Sequence, residues 1–411
     1  MKKAGAGTSV VRVMLRRNFF PYFLGNLVSN SGTWFQNIAS VLLVYRLTGS
    51  SFLVGVVNFS QFAAVIFLAP VAGNAADRFD RRRLVIVMQV AAAALAGVLA
   101  LVTAAGAAST VVVIGVALAL GVTTALATPA LQATVPALVD RSELPAAVAL
   151  TAVTFNLSRV LGPLLGVAVI ARFGISTAFA LNSMSYLALA IGMMLVTPRP
   201  DGRTAPSVPP RLRTSVRMVM ADPALLLPLV VVGIVGLASD PVTTLTPAFS
   251  TEILGRPDTF TGVLVGAFGA GAVTAAFAVT GRVSPSYRLL SVTLGAMAAG
   301  MVSFSVAGSE AIAMFGLFIG GFGYVATVTA GTSLLHEAIE ESHRGRIMSL
   351  WSLSFHGSRP VGALIDGTIA SLAGVRVAGL VMAVPTVIGC IAFAALVRRA
   401  APTPSEETSS P

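Results

Sequence analysis

Charge is scarce in this chain. Only 10% of its 411 residues are Asp, Glu, Lys or Arg, against about 25% in ordinary soluble proteins. Hydrophobic residues make up 55%, and the mean hydropathy is +0.87. A soluble surface of this size needs far more charge, so the composition excludes a cytosolic enzyme, a secreted domain and a disordered regulator. Cysteine is reduced to Cys390, inside an apolar run, which excludes an intrachain disulfide and a Cys-rich metal centre. Lysine is confined to Lys2 and Lys3. Of the three histidines, His336 and His343 border the polar segment Glu337–Arg346, which reads as solvated, and no metal site is expected. A phosphate-cradling Walker motif is absent, so neither ATP nor another cofactor is expected.

What the chain does contain is long apolar runs. A membrane-spanning helix needs about 20 mostly apolar residues. Twelve runs meet that length, at 20–45, 52–76, 84–104, 110–133, 146–171, 175–197, 224–249, 260–280, 288–307, 311–335, 346–372 and 376–397. They are too long and too evenly apolar for β-barrel strands. The fold class expected is therefore an all-α membrane protein with twelve transmembrane helices. The first run carries Asn26, Asn30 and Asn37 and is followed by eleven more, so it is not a cleaved signal.

The net charge of +11 follows from topology and not from nucleic acid. With the N-terminus inside, 21 of the 27 basic residues fall in the tails and cytoplasmic loops, and four fall outside (Arg46, Arg172, Arg256 and Arg376). This asymmetry puts both termini in the cytoplasm, with the basic loops near anionic lipid.

The segment 198–223, rich in Pro and Arg, separates two sets of six spans. The expected organisation is a bundle over 1–197, a cytoplasmic linker over 198–223, a second bundle over 224–397 and a tail over 398–411. The bundles repeat one another. Residues 154–175 align without gaps on 354–375, with six identities in 22 positions: Phe155/Phe355, Ser158/Ser358, Arg159/Arg359, Gly162/Gly362, Leu164/Leu364 and Gly174/Gly374. Repeated bundles are typical of carriers that bind a solute between the repeats near the bilayer midplane.

The loop between the second and third runs reads Gly73-Asn74-Ala75-Ala76-Asp77-Arg78-Phe79-Asp80-Arg81-Arg82-Arg83. It resembles the G-x-x-x-D-R-x-G-R-R signature of the major facilitator superfamily, with Asp80 where that family has Gly. Span five adds Gly162-Pro163-Leu164-Leu165-Gly166, similar to the GPxxG core carried there by the family's antiporters. Three stretches, Leu27–Trp34, Tyr45–Ser50 and Asn156–Pro163, resemble a bacterial exporter branch that includes siderophore exporters and macrolide efflux proteins. The resemblance implies the major facilitator fold, two six-helix bundles in the bacterial inner membrane. It further implies a cytoplasmic gate at Gly73, Asp77, Arg78, Arg81 and Arg82, and a helix-packing motif at Gly162, Pro163 and Gly166. Thr33 stands where many members of the branch have Asp, and residues 111–133 carry no charge, so any proton-coupling group lies elsewhere.

Ionisable residues inside spans cost about 2.5–3.5 kcal/mol each on insertion scales and mark function by default. The spans contain Arg159, Asp240, Arg359 and Asp366, with His356 one turn from Arg359. Asp240, beside Pro241, is the leading proton-coupling candidate, followed by Asp366 and His356. Asn26, Asn30, Thr33, Trp34 and Asn37 fall on one helical face of span one, with Gln36 adjacent. With Asn58 and Gln61 of span two and both arginines, they are the expected substrate cavity.

The expectation is a monomeric secondary transporter whose partners are a small-molecule substrate, protons and the bilayer. Export by proton antiport is the leading direction, on the strength of GPxxG. Proton-coupled uptake of a small polar solute and a non-transporting scaffold or sensor are the alternatives. One proton moving through 100 mV and one pH unit releases about 3.7 kcal/mol, enough for a solute gradient of roughly 500-fold.

Overall fold

The computed structural model describes residues 10–197, 212–239, 241–279, 282–340 and 343–400. Those residues are helical throughout, with short connections. After α1 (Val10–Met14), the first half contains α2 (Phe20–Thr48), α3 (Ser51–Arg78), α4 (Arg81–Ala104), α5 (Thr110–Leu138), α6 (Leu144–Phe173) and α7 (Ile175–Leu195). Then come α8 (Leu212–Ala221), α9 (Pro223–Ala238), the short α10 (Pro241–Thr244) and α11 (Thr246–Ala248), and a π turn at Phe249–Ile253. The second half continues with α12 (Thr261–Val279), α13 (Tyr287–Val306), α14 (Glu310–Ala338), α15 (Arg344–Ala373) and α16 (Val375–Ala400).

Every predicted span coincides with a long helix except the seventh. There the helix stops at Ala238 and resumes at Pro241. Proline has no amide hydrogen to continue the ladder, and Ser239 turns back to Gly236 instead. A helix also appears where the linker was expected: α8 places Leu212, Val216, Val219 and Met220 at i, i+4, i+7 and i+8.

Among the described residues, nine helical segments are long and apolar enough to cross a membrane. The remaining long helices, α2, α6 and α15, correspond to spans one, five and eleven. These are the spans that carry most of the polar candidate residues. The protein is a multi-pass membrane protein.

Side-chain caps fix many helix ends. Ser50, Asp80, Ser109, Asp222, Ser286 and Ser309 each accept a hydrogen bond from a first-turn amide. Asp80 explains the departure from the loop signature. Its Oδ1 accepts from the Arg83 amide at 2.7 Å, and its φ is −62°, so the turn into α4 does not require glycine.

The internal repeat survives in the packing. In the first half α4 packs on both α5 and α7, and in the second half α13 packs on both α14 and α16. The chain forms two compact units. One comprises 1–209 together with 243–266 and 363–372; the other comprises 210–242, 267–362 and 373–411. Segments from the second half of the sequence, at the end of span seven and the end of span eleven, therefore belong to the first unit.

Candidate functional site

The polar face of α2 is the richest part of the first unit. Asn30 donates from Nδ2 to the Asn26 carbonyl at 2.8 Å and to Asn26 Oδ1 at 2.9 Å. Thr33 donates to the Ser29 carbonyl at 2.9 Å and lies 3.3 Å from the Tyr186 hydroxyl of α7. Gln36 is buried and accepts from Asn182 of α7, while Asn37 accepts from Gln61 of α3. The structure thus separates the expected cavity set. Gln36 is engaged inside the α2–α7 contact, and Asn26 is buried. Asn30, Thr33, Trp34 and Asn37 remain partly exposed along one side of α2. Asn58 is buried and donates to Thr244 Oγ1 at 3.2 Å.

Helix α6 meets α2 through its small residues. Ser158 and Ser31 share a hydrogen bond of 3.0 Å. A Cβ on Gly162 would collide with Trp34 Cβ and lie 3.2 Å from the Ser31 carbonyl oxygen. Gly166 faces Phe35 and Ile38, where a Cβ would lie at 3.0–3.1 Å, and Pro163 is buried. The second half reuses the device: a Cβ on Gly236 of α9 would collide with the hydroxyl of Ser358, the repeat mate of Ser158. Small residues here admit close helix approach.

The repeat-related arginines sit mid-helix. Arg359 is buried in α15. Arg159 occupies the matching place in α6, with its side chain outside the described residues. His356 is partly exposed, with Nδ1 3.2 Å from the Ser352 carbonyl oxygen and its ring edge-on to Phe355 at 5.0 Å. Trp351 stacks on Phe355 at 5.3 Å, and Phe355 lies 6.3 Å from Tyr324. Sequence reasoning did not single out Trp351, Phe355 or Tyr324 as site residues. Their only signal was the i, i+4 spacing of Trp351 and Phe355 next to His356. Asp366 is wholly buried in the first unit, one residue before Gly367, whose backbone approaches Ser51 and Phe52. Asp240 lies outside the described residues, at the break in span seven.

The expected gate residues divide as well. Gly73 and Asp77 lie in the last turns of α3, the Asp77 side chain outside the described residues; Arg78 is exposed, and Arg81 opens α4 partly buried. Arg82 donates from Nε to the Met193 carbonyl at 2.8 Å and from Nη2 to the Met194 carbonyl. It caps the C-terminal end of α7, where a cation also meets the negative end of the helix dipole.

One group escaped the sequence reading. At the other end of α2, Arg46 makes a two-pronged ion pair with Asp258, at 2.5 and 2.9 Å. That hydrogen-bonded carboxylate holds the Arg46 guanidinium above its ordinary pKa. Beside it the Tyr45 hydroxyl lies 2.8 Å from Thr251 Oγ1 and donates to Glu252 at 3.0 Å. Gly49 follows with φ +63° to cap α2, a conformation that favours glycine. Within Tyr45–Ser50, Gly49 supplies a local helix cap, while Tyr45 and Arg46 supply a tether to residues more than 200 positions away.

Residues 13–410 match the family described as transmembrane secretion effector, MFS_3. The chain belongs to this family. It is thereby a major facilitator superfamily transporter by family. It is 24% identical over 373 residues to an uncharacterised MFS-type transporter, YfiS, of Bacillus subtilis (strain 168), covering 86% of this chain and 87% of that protein. It is 27% identical over 181 residues to the staphyloferrin A transporter of Staphylococcus aureus (strain NCTC 8325 / PS 47), covering 44% and 43% of the two chains. Among solved structures, it resembles a bacterial homologue of the human lysosomal transporter Spinster, in an inward-facing and unoccupied conformation, with TM-score 0.75, 14% identity and coverage of 96% and 98%. The nucleoside transporter NupG matches with TM-score 0.72, 13% identity and coverage of 93% and 100%. At these identities the structural likeness concerns the fold.

Proposed function

We propose that this protein exports a small organic molecule from the bacterial cytoplasm in exchange for protons, by alternating access. The observation that carries the reading is the match of residues 13–410 to a secretion family, which favours the outward direction. The GPxxG core at Gly162, Pro163 and Gly166, seated against α2, agrees with it. Partial likeness to a staphyloferrin A transporter favours a siderophore among the candidate substrates. The partly exposed Asn30, Thr33, Trp34 and Asn37 on α2 offer hydrogen bonds to such a ligand, and the sequence reading adds Arg159 and Arg359 as sources of positive charge. Asp240 is the leading proton carrier on its sequence setting: it is an ionisable residue within span seven, directly before a proline, which cannot continue a helical ladder. Asp366 and His356 are the next candidates, and both termini face the cytoplasm.

The test is proton movement in inverted, respiring vesicles with a pH-sensitive dye in the lumen. Siderophores, macrolides and other antibiotics are added singly. The expected result is substrate-dependent alkalinisation of the lumen, abolished by Asp240→Asn. Alkalinisation that survives the substitution moves the coupling role to Asp366 or His356. Substrate-driven acidification of the lumen, in which solute and proton enter together, would mark a symporter and overturn antiport.

A further inference from the structure

Helix α8 leaves an open-sided apolar groove against the second unit's own helices. Val219 is buried with Leu225, Leu229, Leu335, Ile347 and Leu350, which anchors α8 to α9, α14 and α15. Beside that anchor lies a groove of about 290 Å³ lined by Val216, Met220, Leu226, Val230, Gly233 and Ser354 among others. Its rim is open: Val216, Met220 and Val230 are 42%, 65% and 44% exposed. The volume is about ten times a water's share of ~30 Å³, and it lies just under the usual range for pockets of drug-sized ligands. A narrow apolar slot of this size suits a hydrocarbon chain.

The charge on α8 itself is all positive. Arg217 is exposed on α8, one position after Val216 and three before Met220. Arg213 stands one turn earlier. Within α8 the charged residues are Arg213 and Arg217, and Asp222, which follows, is engaged in capping α9. An amphipathic helix with apolar residues on one face and arginines flanking it lies in the membrane interface and attracts anionic lipid.

We propose that this groove is a binding site for one anionic phospholipid, with an acyl chain lying between α8 and α9 and the phosphate held by Arg217. Arg217 reaches the headgroup while its methylene stem lies along the apolar rim. On the charge-derived topology the lipid belongs to the cytoplasmic leaflet. Gly233 forms part of the floor, and a Cβ there would meet nothing closer than the Ser354 carbonyl oxygen at 3.8 Å, so the chain has room to lie flat.

The test is native mass spectrometry of the full-length protein, purified in mild detergent and titrated with equal amounts of phosphatidylglycerol and phosphatidylcholine. The expected result is one retained lipid per chain, with a preference for phosphatidylglycerol of about fivefold. Gly233→Leu fills the groove from its floor and abolishes retention, with elution as a monodisperse peak and an unchanged melting temperature. Val230→Trp fills it from the rim, and serves if the first variant misfolds. Arg217→Gln keeps retention but removes the preference. Equal retention of both lipids by the wild type would overturn the proposal. So would undiminished retention in a folded, groove-filled variant, or occupation by a non-lipid amphiphile that phosphatidylglycerol fails to displace.

Discussion

At the scale of single residues, the contact between α2 and α6 depends on the absence of a side chain. Gly162 faces Trp34 so closely that a Cβ has no place to go. Gly162→Val is expected to destabilise the folded protein by about 1–3 kcal/mol, the usual cost of overpacking, read as a lower melting temperature in detergent. Gly115→Ala is the matched control. A Cβ there meets nothing within 4 Å, so the substitution gains up to about 1 kcal/mol of helix propensity and should not lower the melting temperature. A Gly162→Val variant as stable as the wild type would mean that α2 and α6 separate without cost. Trp34 is then seen in a second role: it bears on the packing of α6 as well as on the polar side of α2.

At the scale of the element, Arg82 has a structural role that its motif position does not reveal. The loop resemblance implies gating, whereas the structure ties Arg82 to the last carbonyls of α7. Arg82→Gln should therefore cost about 0.5–1.5 kcal/mol of stability, the net worth of a hydrogen bond with some helix-end charge interaction. Thermal melting of the purified variant checks this. An unchanged melting temperature together with a collapsed transport rate would return Arg82 to the gate. Span seven is the other informative element. It is interrupted: α9 ends at Ala238, and the short α10 and α11 and a π turn follow from Pro241, which cannot itself extend the ladder of α9. Restoring a donor with Pro241→Ala should join α9 to α10 and slow transport more than it affects stability, measured as flux against melting temperature.

At the scale of the molecule, the first compact unit includes residues 243–266 and 363–372. Arg46–Asp258, Tyr45–Glu252 and Asn58–Thr244 tether 243–266 to α2 and α3. In the proposed transport cycle, any state that parts 243–266 from α2 and α3 must break these tethers, so they bias the population towards the tethered state. The side chains of the ion pair are 43% and 13% exposed, and pairs of that kind are worth about 0.2–1 kcal/mol. Arg46→Asp is expected to shift the state population roughly 1.4- to 5-fold towards release. The reversed pair, Arg46→Asp with Asp258→Arg, should restore it. Alkylation of Thr244→Cys in a Cys390→Ala background reads the shift, because Thr244 is buried in the tethered arrangement and parting 243–266 from α3 would expose it. An unchanged alkylation rate in the single variant would show that the pair does not bias the cycle.

The spans, the repeat and the family loop were legible in the sequence because they depend on local composition. Twenty apolar residues in a row form a membrane helix whatever surrounds them, since every backbone group must be satisfied internally. Asp80 as a cap and α8 as an amphipathic helix were equally local: both patterns are present in the sequence, though each lay inside a segment read for another purpose. The partners of polar side chains were not legible. Gln36 and Asn37 are neighbours on α2, yet one meets Asn182 on α7 and the other Gln61 on α3. Arg46 and Asp258 are 212 positions apart. Hydropathy decides that a helix is buried in the bilayer, but lipid is as apolar as the helices themselves and selects no neighbour. Close packing and interhelical hydrogen bonds make that selection, and they exist only once the helices have met.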